Sequence, residues 1–378
     1  MNQDQSHARY LLLDGIRGVA AVVVMFYHYS AHTPFELFLN APTAVDLFFA
    51  LSGFVLTASY AQRIQSGRLS FSDYFKRRVI RLYPMFALAL LFGTATLLGL
   101  KFAGLTNFGL REIVAATANN AFFIPYFNDR SLHLFARSAV STGSLFPANG
   151  PAWSLFYEML ASIIFFYLVR IERSLLMKVS GAALYFLIGG AFLRGFEQYQ
   201  FSLLGEAGWN SMNIFGGFPR VMWGFCVGIL CHQVVTMNEN KSPKFLVTAF
   251  GQLSARPLLI MLACGALFLI PGRFMGMTFL LTVVCVNPVL LIAGARSTIQ
   301  SRPLELVVKA LGALSYPIYC LHVPIGNAIA LLLRERGDYS SPDWRFVVLA
   351  TVTTTLLSAL LLKLVDEPLR AALSRRYS

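Results

Sequence analysis

The chain is 378 residues long, 56% hydrophobic and only 13% charged, with 33 phenylalanines and a net charge of +13. Soluble domains carry roughly 25% charged residues, so a soluble fold, a disordered chain and a disulfide-stapled secreted domain are all excluded. A polytopic membrane protein remains, and the excess of 31 Lys+Arg over 18 Asp+Glu is read as loop charge facing an anionic cytoplasmic leaflet, not as a nucleic-acid footprint.

The opening MNQDQSHARY is polar, and no cleavable signal is read from it. A span needs about 20 apolar residues. Ten runs are predicted to cross the bilayer, at roughly 12–33, 44–61, 84–104, 150–169, 175–193, 212–235, 257–271, 274–294, 310–333 and 346–365. The stretch 113–127 is apolar but short and is read as re-entrant or interfacial. Pro271-Gly272 makes a tight hairpin between the seventh and eighth runs. With the N-terminus inside, the inner loops hold 19 Lys and Arg and the outer loops 9. That bias predicts an all-α bundle of about ten transmembrane helices with both termini cytoplasmic. The largest outer loop is about 105–149, and no internal repeat or linker is visible. Cys226, Cys231, Cys264, Cys285 and Cys320 lie in apolar runs without a CxxC pair, so they are read as small core residues and no metal site is expected.

Ionisable side chains within spans are costly and point to function. The first helix carries Asp14, Arg17 and His28. At 100° per residue, Arg17 and His28 fall about 20° apart, Asp14 and His28 about 40° apart, and Arg17 lies about 16 Å from His28 along the axis. All three share one stripe. Glu158 in the fourth run and His322 in the ninth reach a depth similar to that of His28. The three either meet in the outer half of the bundle or are separate interhelical ties. At the inner rim, FSDYFKRRVIRLYP brings Lys76, Arg77, Arg78 and Arg81 together, with Arg78 and Arg81 on one helix face. That cluster is either a positive-inside anchor or a phosphate site. No GxxxxGK[ST] accompanies it, which argues against a P-loop nucleotidase.

At this point the sequence resembles the acyltransferase 3 family of integral membrane acyltransferases. The resemblance rests on LDGIRG followed by His28, an Arg-x10-His pattern, and on VDLFFALSGFVL at 45–56, RRVIRLYP at 77–84, PAWSLFYEM at 151–159, LGALSYPIYCLH at 311–322 and VDEPLR at 365–370, in the same order. It covers nearly the whole chain. It implies a ten-helix bundle passing an acyl group, usually acetyl, from cytoplasmic acyl-CoA to an extracytoplasmic glycan or lipid-linked acceptor. Arg17 and His28 match the family's functional pair, and Arg78 and Arg81 its basic motif. The fourth-helix motif often carries two acidic residues; here Glu158 stands alone. Some members carry an extra hydrolase-like domain. This chain ends twelve residues after Asp366, so residues 1–378 are expected to form a single integral membrane acyltransferase domain.

The residues fit that chemistry. The phosphates of CoA suit Arg17, Arg77, Arg78 and Arg81, and the pantetheine arm is comparable in reach with the roughly 16 Å from Arg17 to His28. A sugar hydroxyl needs a general base, and His28 is the candidate. Glu158 is the expected partner of its ring. Asp14 is expected to neutralise Arg17 or another arginine. Direct transfer and a transient acyl-His28 both remain open. On the outer side, Asp46 is either a sugar partner or a helix N-cap, and Trp153 either stacks on a sugar or anchors the helix at the interface. Asn149 lines the same rim. Tyr316 and Tyr319 either bond substrate or pack the core. Asp366 and Glu367 are expected to tie down cytoplasmic arginines. No permanently bound cofactor is expected, only acetyl-CoA or another acyl-CoA as co-substrate. The expected location is the bacterial cytoplasmic (inner) membrane. Two alternatives stand beside O-acetylation of a polysaccharide: transfer of succinyl or to a lipid or small molecule, and a glycan or lipid transporter. A transporter often shows repeated halves, which this sequence lacks.

Overall fold

A computed structural model describes residues 10–31, 33, 35, 37–130, 143–198, 208–211, 213–237, 251–270, 279–335 and 343–377, with the backbone alone for 187, 189–198, 335 and 377. The N-terminal residues 1–9, the Pro271-Gly272 hairpin, part of the 105–149 loop, and loop cations such as Arg9, Arg137, Lys241, Lys244, Arg273 and Arg336 lie outside the described residues.

Among the described residues the protein is helical throughout, with a single isolated bridge between Ser144 and Asn210 and no strand. The helices are α1 (Leu11–Ser30), α2 (Pro42–Gln65), α3 (Phe71–Phe102), α4 (Leu110–Ala121), α5 (Ala152–Leu168) and α6 (Arg173–Gln198). They continue with α7 (Gly217–Thr236), α8 (Pro257–Leu267), α9 (Asn287–Arg296), α10 (Arg302–Glu335), α11 (Trp344–Leu361) and α12 (Glu367–Tyr377). A π-helical turn precedes α9 (Thr282–Val286), and another joins α11 to α12 (Leu362–Asp366).

Among the described residues, seven helical stretches are long and apolar enough to cross a membrane: Leu11–Ser30, Pro42–Gln65, Phe71–Phe102, Ile214–Thr236, Phe279–Arg296, Arg302–Arg334 and Trp344–Arg376. The runs expected at 150–169 and 257–271 form shorter apolar helices, Ala152–Leu168 and Pro257–Leu267. Large apolar side chains stand exposed along the outer faces, among them Leu91, Phe92, Val348, Val352 and Leu356. A soluble protein would not leave so much apolar surface open, whereas lipid covers it. The chain is therefore a multi-pass membrane protein. The stretch expected to be re-entrant or interfacial forms α4, twelve residues packed on α3 and too short to cross.

Two seams organise the bundle: α1 on α10, and α2 on α7. The first depends on close backbone approach. A Cβ on Gly18 would lie 2.6 Å from the Leu311 carbonyl oxygen, and one on Gly312 would lie 2.7 Å from Asp14 Cβ. The second seam carries the bundle's most enclosed charge. Arg220 of α7 donates through Nε to Asp46 Oδ1 (3.0 Å) and through Nη2 to Oδ2 (2.7 Å), with both side chains fully buried. Its guanidinium also faces the rings of Trp153 (5.3 Å) and Phe279 (5.6 Å).

The carbonyl that Pro324 leaves free within α10 is served from a loop. Pro324 removes the N–H that would bond the Cys320 carbonyl. Asn149 Nδ2 donates to that carbonyl instead, at 3.0 Å.

Stranding one member of a buried ion pair costs about 3–5 kcal/mol, whereas replacing both with apolar side chains is close to neutral. Asp46→Asn should therefore lower the thermal unfolding midpoint sharply in detergent. The double variant Asp46→Leu/Arg220→Met should recover most of that loss. A single variant as stable as the parent would show that the pair does not hold the α2–α7 seam.

Candidate active site

A cavity of about 570 Å³ opens between α1, α2, α3, α5, α10 and the chain's last two elements. Its mouth is charged and its interior is apolar, walled by side chains such as Phe48, Phe49, Val55 and Leu155. Ser154 and Tyr319 lie on the lining too, and the Tyr319 hydroxyl and Ser154 Oγ are 2.6 Å apart.

The mouth assembles from side chains far apart in sequence. Arg17 pairs with Asp14 at 2.9 Å, as expected. It also donates through Nε to Ser315 Oγ (2.9 Å) and through Nη2 to the Gly312 carbonyl (3.2 Å), so the α1–α10 seam fixes it in place. Arg78 pairs with Glu158 at 2.9 Å, and Ser52 donates to the same carboxylate oxygen at 2.8 Å. One carboxylate thus ties α2, α3 and α5 together. Arg81 lines the cavity within electrostatic reach of Arg17, Arg78 and Arg370, with no carboxylate at ion-pair distance among the described residues. Lys309 and Arg370 join the lining, paired with Glu305 and Asp366. The lining thus holds five cations, Arg17, Arg78, Arg81, Lys309 and Arg370, and five carboxylates, while Arg302 and Lys363, outside the lining, pair with Glu305 and Glu367. Arg77, expected beside Arg78 and Arg81, does not line the cavity. Lys309 and Arg370, read in the sequence as inner-loop charge, do.

His28 and His322 meet, as their matched depth suggested. Their ring centroids are 4.9 Å apart, and His322 Nε2 lies 3.3 Å from His28 Nδ1. His28 Nδ1 is also 2.8 Å from the Val24 carbonyl, and His322 Nδ1 is 3.0 Å from that of Ile318. A carbonyl oxygen only accepts, so each Nδ1 carries the hydrogen of its neutral ring. The lone pair of His322 Nε2 therefore faces the His28 Nδ1–H. The lone pair of His28 sits on Nε2, on a side chain that is exposed. His322 itself is fully buried. Its ring contacts Tyr319, with centroids 5.9 Å apart; neither histidine lines the cavity, His322 standing behind Tyr319 and His28 against His322.

Glu158 is not the partner of His28. Its carboxylate bonds Arg78 and Ser52, and a second imidazole occupies the place expected for a carboxylate. A match of depth says nothing of the direction in which Glu158 faces. Three outer-rim expectations also change. Asp46 neither caps α2, which starts after Ala41, nor stands open to a sugar, because it is sealed against Arg220. Trp153 is buried beside Tyr157 and Arg220 instead of standing at an interface. Asn149 is buried and serves the Cys320 carbonyl. Tyr316 lines the cavity, but its hydroxyl donates to the Leu82 carbonyl at 2.6 Å. Sequence reading passed over Arg220 as a lone charge within a helix. Only its position in a span marked it, since its partner lies 174 residues away.

Comparisons with known proteins agree with this architecture. The family profile described as "Acyltransferase domain" matches residues 10–363. A Rhizobium radiobacter protein named "Protein 2 in picA locus" is 34% identical over 168 residues, which is 42% of this chain and 81% of that protein. A Bacillus subtilis (strain 168) protein named "Putative peptidoglycan O-acetyltransferase YrhL" is 25% identical over 396 aligned positions, covering 100% of this chain and 58% of that protein. No solved structure matches. With a family profile that spans nearly its whole length, the chain belongs to the acyltransferase 3 family.

Proposed function

We propose that the protein transfers an acyl group, acetyl in the first instance, from cytoplasmic acyl-CoA to a hydroxyl of an extracytoplasmic or lipid-linked glycan. It would act as a multi-pass protein of the bacterial inner membrane, with both termini cytoplasmic, no permanently bound cofactor and no metal. The observation that carries this reading is the cavity: a lining rich in arginines, with Nε of Arg78 and of Arg370 left unbonded, apolar walls, and His322 behind Tyr319 with His28 against it. CoA has the matching form, with a phosphorylated nucleotide at one end and a long thin arm ending in a thioester. Arg17, Arg78 and Arg81 would hold the phosphates through charge-assisted hydrogen bonds. The arm would lie along the apolar wall toward Ser154 and Tyr319. The donor then never crosses the membrane.

His28 is the proposed base. Its Nδ1–H is held by the Val24 carbonyl and His322, which leaves Nε2 to take the proton of the acceptor hydroxyl. The hydroxyl oxygen attacks the thioester carbonyl carbon, the carbon–sulfur bond breaks, and the CoA thiolate recovers the proton from His28. The imidazolium formed in between keeps both Nδ1 acceptors. The acceptor class is suggested by the name of the Bacillus subtilis relative, which mentions peptidoglycan O-acetylation. Glu158 would act by fixing Arg78 and not by touching the base.

Removing a general base costs about 10²- to 10⁴-fold in rate. Labelled acetyl from acetyl-CoA should accordingly reach membrane glycans in cells carrying the parent chain and be lost with His28→Ala at matched membrane levels. Equal labelling by the two would remove His28 from the chemistry. Glu158→Gln separates the two roles considered for that carboxylate. It strands the guanidinium of Arg78, which should lower stability by about 3 kcal/mol, while the acid limb of the pH–rate profile stays where the parent has it. A displaced acid limb without a stability loss would return Glu158 to the side of the base.

A further inference from the structure

The far wall of the cavity comes from the end of the chain. Leu362 and Asp366 of the π-helical turn, and Glu367 and Arg370 of α12, all line it. A π turn carries one residue more than an α turn, which re-aims the side chains that follow it, and such turns gather at functional sites. Here the turned segment brings Asp366 and Arg370 against the α3 arginines. Asp366 Oδ2 holds Arg370 Nη2 at 2.7 Å. Several bonds around this point are left unmade. Asp366 Oδ1, Arg370 Nε and, on α3, Arg78 Nε are buried without a hydrogen-bond partner, and Arg81 faces Asp366 electrostatically with no carboxylate at ion-pair distance among the described residues. Guanidinium groups crowded in this way repel one another, and an anion placed among them turns repulsion into attraction. The planar fork of each matches two oxygens of a phosphate.

We propose that Arg370 of α12 and Arg81 of α3 form one phosphate-binding site, so that the C-terminal helix is a wall of the ligand site. Asp366 orients Arg370 by holding its Nη2, which leaves Nε as the unmade bond for the ligand to complete. The ligand is a phosphate ester. On the acyl-CoA reading above it belongs to the nucleotide end of the donor; the other source of the same chemistry at a membrane surface is a lipid headgroup.

The test uses purified full-length protein in nanodiscs of phosphatidylcholine, titrated calorimetrically with CoA and, separately, with inorganic pyrophosphate. Arg370→Gln and Arg81→Gln should each weaken CoA binding about 10-fold or more, the usual effect of losing a charge-assisted contact. Arg370→Lys, which keeps the charge but loses the fork, should fall between the parent and Arg370→Gln. Arg376→Gln removes the same charge from an exposed position on the same helix and should stay within twofold. Parent-like CoA affinity in both Gln variants would overturn the site. Should Arg370→Gln fail to fold, Arg370→Lys and Arg81→Gln carry the same test. Pyrophosphate binding that depends on Arg370, without CoA binding, would keep the site and sink the donor reading. Displacement of pyrophosphate by phosphatidylglycerol in the disc, again through Arg370, would assign the site to a lipid headgroup. Binding of neither probe by the parent chain would overturn both.

Discussion

A charge inside a bundle surrounded by lipid must find a partner, and the structure follows from how completely each one does so. The α2–α7 seam shows full closure: Asp46 and Arg220 exchange two hydrogen bonds at zero side-chain exposure, and Arg220 also donates to the Pro42 carbonyl at 3.2 Å. Such a pair contributes position more than energy, because desolvation offsets most of the Coulomb attraction. Arg78 and Glu158 represent an intermediate state, bonded to each other yet bordering a cavity, with Arg78 Nε still unused. Arg81 stands at the open extreme. The gradient from sealed pair to open cation runs toward the cavity, so the least satisfied groups mark where a charged ligand would be received.

The same constraint explains why the base has an imidazole beside it. The carboxylate at matching depth, Glu158, is already committed to Arg78, and a second carboxylate beside His28 would itself need a cation. His322 offers a lone pair without adding a charge. Its own Nδ1–H is spent on the Ile318 carbonyl one helical turn back, so its acceptor nitrogen faces His28. A neutral ring such as that of His322 can be buried in a membrane bundle at a cost that an unpaired carboxylate would exceed.

Legibility in the sequence divides along the line between local and packed geometry. The stripe of Asp14, Arg17 and His28 follows from 100° per residue, and the structure keeps Asp14 on Arg17. The spacing of Arg78 and Arg81 predicted one face, and both line the cavity. Depth along a helix is equally local, which is why His28 and His322 could be matched across 294 residues. What depth lacks is the direction a helix face points, and Glu158, Asp46 and Trp153 were misread for that reason. Each turns toward a neighbour that the sequence does not identify. Arg370 had a local signal, an acidic residue four positions earlier. The π turn that swings it into the cavity has no such signature. The shorter helices α5 and α8 show a related limit, since an apolar run in the sequence includes the loop residues at its ends.

The α1–α10 seam joins these observations. Gly18 and Gly312 let the two backbones approach, and that single contact surface does two things at different heights. At one end it presents the Gly312 carbonyl and Ser315 to Arg17. At the other it lays His322 against His28. The distance from the cation to the imidazole is therefore set by one rigid pair of helices, at about 16 Å along the axis of α1. On the proposed reading, that rigidity is what measures the donor: the phosphate end and the thioester end are located by the same seam, and a shift of one helix along the other would move both together. The third wall, α12, lies outside that seam and meets the bundle through α3.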